Sequence, residues 1–439
     1  MSGMANEEIH LTTDRSGRLV EKRRMRRMVS SPTGFDRWLL GAMVRVVGRP
    51  KVRFSLWDGE AVHDPGMSAV GALTFPNRAT LFRICSSPEM TFADGYVDGS
   101  ITMEGDPIDV LVELASANRR AMPPNSMRRR FINRVYRPRG TSKLKAKENI
   151  HSHYDLGNEF YSRWLDDEMS YTCAYFPDSA TTLEQAQLAK MDHVCRKLEL
   201  KEGQRVLETG CGWGSLARYM ARNYGVEVTA YNISHEQIVY ANERTRVEGL
   251  EDRVTFVEDD YRNACGDFDA FVSIGMLEHV GLKNFPVLGH TIDRTLKEGG
   301  RGLVHSIGRS WSESLNPWIE RNIFPGGSVP SLAQIMDVFE PVGFSVLDVE
   351  NLRLHYARTC REWWLRFESV ADETAAKFDE NFVRAWRLYL AGSSAAFLMG
   401  NLQLFQVLFA RANDNTVPLT RDYMYRTRAD GGSADSMTG

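Results

Sequence analysis

The run Glu208-Thr209-Gly210-Cys211-Gly212-Trp213-Gly214 carries the densest chemical signal in the sequence. Val206 and Leu207 precede it, an apolar pair suited to a buried strand, and Leu216, Ala217, Tyr219 and Met220 follow it in a helix-like pattern. Strand, glycine turn, helix is the entrance to a nucleotide-type pocket in a doubly wound sheet. Dinucleotide sites use G-x-G-x-x-G, which seats a pyrophosphate on the helix N-terminus. Here the glycines alternate, and Glu208 stands two residues before the first. A carboxylate at that place repels a pyrophosphate and suits a ligand carrying an ammonium and a sulfonium. The spacing therefore points to S-adenosylmethionine.

The elements needed to position such a ligand follow in order. Strands are predicted at Val226–Tyr231, Val254–Val257, Phe268–Ser273 and Gly302–Ser306, with a helix from Ser234 to Glu248. This is an α/β plan in which ligands sit at the carboxyl ends of the strands. Those ends carry Glu208, Asn232, Asp260–Tyr261, Gly275–Glu278 and His305, so the polar candidates share one rim. Upstream, residues 151–176 are dense in aromatics (among them Tyr154, Phe160, Trp164, Tyr171, Tyr175 and Phe176) and enclose Cys173, His153, Asp155 and Asn158. A helix is predicted from Leu183 to Leu198. Downstream, NPWIERNIFPGG reads as a loop, VLDVENLRLHYART as a strand ending at His355-Tyr356, and residues 361–412 as helical, with Leu404, Phe405 and Phe409 on apolar faces.

The N-terminal third is of a different kind. Residues 1–150 hold 25 Lys and Arg against 16 Asp and Glu, whereas the whole chain has a net charge of −3. A basic third on an acidic body suggests an anionic surface as partner. Residues 1–34 read as a basic, partly disordered arm containing Lys22-Arg23-Arg24-Met25-Arg26-Arg27. FDRWLLGAMVRVVG reads as a short amphipathic helix, suited to core packing or to lipid contact. VRFSLWDG and TLFRI read as strands, with turns at Asp58-Gly59, Asp94-Gly95 and Asp98-Gly99, and a helix follows from Pro107. Residues 119–149 form a basic linker with Pro123, Pro124 and Pro138. No motif that reads RNA or DNA accompanies it, so a membrane surface is expected and nucleic acid is not. Six scattered cysteines without a C-x-x-C pair argue for reduced thiols in a cytoplasmic protein and against a metal site. No signal peptide and no apolar run long enough to span a bilayer is expected.

Seven motifs in order, HYDLGNEFY, MSYTCAYF, ETGCGWGSLA, VSIGMLEHVG, HSIG, NPWIERNIFPGG and HYARTCREWW, give the chain a close resemblance to the cyclopropane fatty-acyl-phospholipid synthases and the mycolic acid cyclopropane synthases. The resemblance covers roughly residues 150–412. It implies a Rossmann-like class I methyltransferase domain over 150–425, with a smaller N-terminal α+β lipid-docking domain over 35–118 and a disordered tail over 426–439. The implied reaction adds a methylene from S-adenosylmethionine across a cis double bond of an unsaturated phospholipid acyl chain. The family's bound bicarbonate maps to Cys173, Glu278, His305, the Ile307 backbone and Tyr356. Its donor contacts map to Tyr171, Thr172, Glu208, Gly210, Gly212, Gly214, Asn232, Gln237, Asp260 and Tyr261. The second strand ends YNIS where TLS is common, so it lacks an acidic residue for a ribose. Aromatic faces such as Tyr175 and Phe176 are expected to stabilise a carbocation. A homodimer, peripheral on the inner face of the cytoplasmic membrane, is also implied. Two rival readings are a methyltransferase that leaves a methyl- or methylene-branched chain, and a non-catalytic lipid-binding protein that kept the fold.

Overall fold

Seven strands form the main sheet: β7 (Arg205–Thr209), β8 (Glu227–Asn232), β9 (Val254–Glu258), β10 (Phe268–Ile274), β11 (Leu296–Gly308), β12 (Phe344–Asn351) and β13 (Gln403–Arg411). Their spatial order is β12-β13-β11-β10-β7-β8-β9. In the computed structural model, which describes residues 9–13, 19–23, 31–62, 68–121, 156–313 and 315–425, strands β7 to β11 run parallel. β13 is inserted antiparallel between β11 and β12. Alternate residues of each central strand feed opposite cores. Val206, Val228, Val272 and Leu303 pack under the helices Leu183–Lys197 and Ser215–Tyr224. Leu207, Phe271 and Val304 pack under Phe285–Thr295. Covered on both faces, these strands read as continuous apolar runs with little alternation. The strand order reverses direction beside β7, where β8 and β10 leave to opposite sides, and that is the crevice such sheets use for ligands.

The glycine turn after β7 is sterically enforced. Gly210 has φ +79°, and a Cβ there would stand 2.7 Å from the Cβ of Met276. Gly214 has φ +76°, and its Cβ would stand 2.5 Å from the Phe256 ring. Both positions combine a left-handed backbone with close approach, which only glycine meets without strain.

Several sequence expectations are corrected. TLFRI is helical, within Arg78–Ser86; Asn77 caps that helix by accepting from the Thr80 N–H, and a short apolar run cannot by itself distinguish strand from helix. Asp94-Gly95 is no turn but lies inside the helix Pro88–Val97. His355 and Tyr356 do not end a strand; β12 stops at Asn351, whose side chain accepts from the Arg353 N–H as the helix Arg353–Ser369 begins. The helical stretch ends at Leu398, and Leu404, Phe405 and Phe409 belong to β13, whose burial on both faces erases the alternation that marks a strand. The loop NPWIERNIFPGG contains a short helix, Pro317–Asn322.

The N-terminal region carries an antiparallel pair, β1 (Ile9–Thr13) with β2 (Leu19–Arg23). A four-stranded sheet follows, built from β3 (Val52–Ser55), β4 (Ala61–Val62), β5 (Gly71–Thr74) and β6 (Thr102–Gly105) in the order β4-β3-β5-β6. Helices Gly34–Val46, Arg78–Ser86, Pro88–Val97 and Pro107–Ala121 accompany it, and Leu40, Phe54, Leu73 and Leu81 are in its core. It docks on the helices of the larger unit through Arg361 to Asp106 at 2.8 Å and Arg119 Nη1 to the Met399 carbonyl at 2.5 Å. Its outer surface presents three neighbouring rings. Phe35 stacks on Trp38 at 5.8 Å and meets Phe82 at 6.2 Å, and Trp38 is 61% exposed. Most of the basic linker, the residues His153 and Asp155, and the tail 426–439 lie outside the described residues. Among the described residues, no helix is long and apolar enough to cross a membrane, and no group of His, Cys, Asp or Glu could hold a metal ion.

Candidate active site

A cavity opens at the carboxyl ends of β7, β8 and β10. Its wall includes nine of the ten residues predicted for the donor: Tyr171, Thr172, Glu208, Gly210, Gly212, Asn232, Gln237, Asp260 and Tyr261. Gly214 falls outside the wall, because its place is filled by Phe256 and Ala241. Asn232 ends β8, where the sequence lacks an acidic residue. Its Nδ2 donates to Gly212 O at 3.2 Å and to Gln237 Oε1 at 2.8 Å, which ties the glycine loop to the next helix. Asp260 accepts from the Arg262 N–H at 2.9 Å, and Arg262 lies over the Tyr261 ring at 5.3 Å. Tyr171 shares a 2.8 Å hydrogen bond with Tyr389, joining this wall to the helix Glu380–Leu398. Trp213 Nε1 donates to Asn158 Oδ1 at 2.7 Å, which accounts for one polar residue in the aromatic segment.

Glu208 is 3% exposed, and burial pushes its carboxyl up to about 8 against the pull of Lys190 and Arg218. Among the described residues its Oε2 has no hydrogen-bond partner. Lys190 also lines the cavity and was missed in the sequence. The signal was present: Leu183, Ala186, Lys190, Val194 and Lys197 all fall on the buried stripe of one helix, where a lysine is out of place.

The five residues predicted for the anion do not line this cavity. Gly275, Met276, His279 and Val280 belong to the wall, whereas Glu278, in the same turn, accepts from the Ile307 N–H at 2.6 Å. Ile307 thus gives its backbone donor to Glu278. Burial pushes Glu278 up to about 7, and its Oε2 has no partner among the described residues. His305 is 1% exposed, and burial first, then the nearby lysines, hold its imidazole down at about 3. Its Nδ1 meets Gln406 Nε2 at 3.1 Å, and its Nε2 has no partner among the described residues. With the amide donating, the proton sits on Nε2. Cys173 is buried; its thiol donates to Ala174 O at 3.2 Å and is pushed well up, so it is a thiol and not a thiolate. Tyr356 is stacked on Phe397 at 4.5 Å, and Cys173 and Glu278 both act on its phenol electrostatically.

Tyr175 and Phe176 both pack against neighbouring side chains. Tyr175 is stacked between His193 at 4.5 Å and His355 at 4.8 Å, and Phe176 lies under the Arg358 guanidinium at 4.0 Å.

The arrangement is a cavity at the strand ends with buried acid–base groups, unpartnered among the described residues, on adjoining segments. A family model described as mycolic acid cyclopropane synthetase matches residues 141–407. The chain belongs to that family. A probable fatty acid methyltransferase of Pseudomonas putida is 36% identical over 392 residues, which are 85% of this chain and 96% of the relative. The cyclopropane-fatty-acyl-phospholipid synthase of Escherichia coli (strain K12) is 44% identical over 270 residues, 61% of this chain and 69% of the relative. The solved structure of the mycolic acid cyclopropane synthase CmaA1 complexed with SAH and CTAB is 27% identical with a TM-score of 0.57, covering 60% of this chain and 97% of that one. The fold is that of the class I S-adenosylmethionine-dependent methyltransferases, and the family's enzymes modify lipids by cyclopropanation or by methylation.

Proposed function

We propose that this enzyme converts the cis double bond of an unsaturated phospholipid acyl chain into a cyclopropane ring. The alkene π electrons attack the methyl carbon of S-adenosylmethionine, the sulfur–carbon bond breaks, and S-adenosylhomocysteine leaves. The cation left on the chain then loses one proton from the transferred methyl, and the new carbon–carbon bond closes the ring. An alkene is a weak nucleophile, so the donor must be held against it in a dry site.

The observation that carries this reading is the turn at Gly275–Val280, which faces the donor cavity with four residues and turns Glu278 to Ile307. Glu278 Oε2 is an acceptor and His305 Nε2 a donor, both buried and both without partners. A bicarbonate ion has one hydroxyl to give and oxygens to accept, so these residues fit it, with Cys173 and Tyr356 as neutral neighbours. Bound there, the ion would supply a weak base. Glu278 would orient its hydroxyl and His305 would donate to its oxygen, while burial keeps the imidazole uncharged.

For the lipid, we propose that the exposed rings of Phe35, Trp38 and Phe82 rest in an anionic bilayer surface at the inner face of the cytoplasmic membrane. Arg45 on the same helix and Arg83 beside Phe82 are exposed. Aromatic rings at the headgroup level with cations around them are the chemistry of such a surface.

The deciding experiment incubates the protein with unsaturated phospholipid vesicles and methyl-labelled donor, then examines the product lipid by mass spectrometry and proton NMR. Far-upfield ring-methylene signals support the proposal. An olefinic exocyclic methylene or a plain methyl branch would replace it with lipid C-methylation, and no incorporation would favour a lipid-binding role.

A further inference from the structure

The donor cavity contains two buried titratable side chains, an amine and a carboxyl, that do not satisfy each other. Lys190 is 2% exposed, and its Nζ donates to Thr172 Oγ1 at 2.9 Å. An ammonium has three donors. Among the described residues no carboxylate lies within 4 Å of this one, although Asp166, Cys173 and Glu208 are its electrostatic neighbours. Asp166 is occupied elsewhere: its two oxygens accept from the backbone of Ser170 at 2.8 Å and of Glu168 at 3.2 Å. Glu208 offers the opposite deficit, a buried Oε2 with no partner. Both residues line the same cavity, together with Thr172 and the glycine turn. A buried amine and a buried carboxyl, each short of partners, are costly to ionise unless a ligand supplies the complements.

We infer that Lys190 binds the α-carboxylate of the donor's methionine arm, while Glu208 takes its α-ammonium. An α-amino acid carries these two charges on one carbon, so a wall with one unfilled group of each sign is complementary to it. Thr172 fixes the lysine: its hydroxyl accepts from Nζ and leaves two donors for the ligand. The helix Leu183–Lys197 thereby reaches the donor through the side chain that its apolar stripe would otherwise exclude. The inference rests on S-adenosylmethionine dependence and not on the identity of the lipid product.

The test is calorimetric binding to the full-length protein of S-adenosylhomocysteine and of its decarboxylated analogue, which keeps the amine and lacks the carboxylate. In the unmodified protein the analogue should bind roughly 10- to 100-fold more weakly, the range expected for a hydrogen-bonded charge. Lys190→Met should weaken S-adenosylhomocysteine by a similar factor and change the analogue by less than about threefold, a difference that a merely structural role would not produce. Retained analogue binding also reports an intact cavity. Should Lys190→Met not fold, Lys190→Gln and the two-ligand ratio of the unmodified protein carry the same comparison. Equal losses for both ligands, or none for either, would overturn the assignment. So would an unchanged S-adenosylhomocysteine affinity with a raised bicarbonate requirement, which would move Lys190 to the anion.

Discussion

Ile307 donates its backbone N–H to Glu278 Oε1 at 2.6 Å, so the end of β11 anchors a carboxylate carried by the turn after β10. One oxygen is fixed and the other is left without a partner. Tertiary pairing, not the local chain, therefore decides where this acid points.

Glu278→Gln keeps the shape and removes the ionisable oxygen. We expect turnover to fall about 10²- to 10⁴-fold, the usual range for a lost acid–base group, while S-adenosylhomocysteine affinity changes by less than about threefold. Methyl transfer to vesicle lipid and calorimetry measure the two quantities. Undiminished turnover would remove Glu278 from the mechanism.

The pH dependence follows from the same group. Burial raises Glu278 to about 7, so it is protonated below that value and ionised above it. If the carboxylate is the active form, kcat rises with pH through about 7 and then levels. His305, held at about 3, stays neutral over this range and contributes no second limb. A rate profile flat from pH 6 to 8, or the same limb in the Glu278→Gln variant, would assign the titration elsewhere.

A separate network governs stability. Glu350 on β12 meets His193 Nε2 at 2.7 Å and Lys197 Nζ at 2.5 Å, and the Lys197 side chain has no solvent exposure. Glu350→Gln removes the nearer carboxylate from that ammonium, leaving only Asp348 at 3.9 Å among the described residues, and should cost about 3–5 kcal/mol in chemical denaturation, the range for breaking a buried pair. The sign with pH is fixed by the depressed carboxyl, at about 2 in the folded chain against an ordinary 4.5. Its contribution is complete above 4.5 and is lost as pH falls through about 2. A stability loss under about 1 kcal/mol would show that Lys197 finds another partner.

Vesicle binding tests the aromatic surface. Replacing Trp38 and Phe82 by Ser should weaken sedimentation with anionic, unsaturated vesicles about tenfold or more and leave the melting temperature nearly unchanged, since both rings are already in water. Salt should weaken binding of the unmodified protein through the arginines. Salt-independent binding, or a shift to monomers on substitution, would make this face an interface of another kind.

The parallel part of the sheet and the cavity at its strand ends were legible because they depend on local signals: an apolar run, a glycine turn, a carboxylate at fixed spacing. Glu208, Asn232 and Asp260 stand where those signals put them, at strand ends on one wall. What escaped was set by distant partners. β13 looked helical because both its faces are buried, and Tyr356 looked like a strand end because nothing local announces that a helix begins at Arg353. Lys190 escaped for another reason. A charged residue on an apolar stripe is a visible anomaly, but its meaning depends on Thr172 and Glu208, which come from other segments.

The insertion of β13 between β11 and β12 orders events during synthesis. Gln406, which supports His305, lies 101 residues farther along the chain. As the polypeptide emerges from the ribosome, the donor-binding half of the sheet is complete long before the strand that holds this imidazole arrives. Until then β11 and β12 present bare edges, open to mispairing with other nascent chains. The half that carries His305 is thus the late-forming half, and lesions in β13 should be felt first as poor yield of folded protein, ahead of any change in its chemistry.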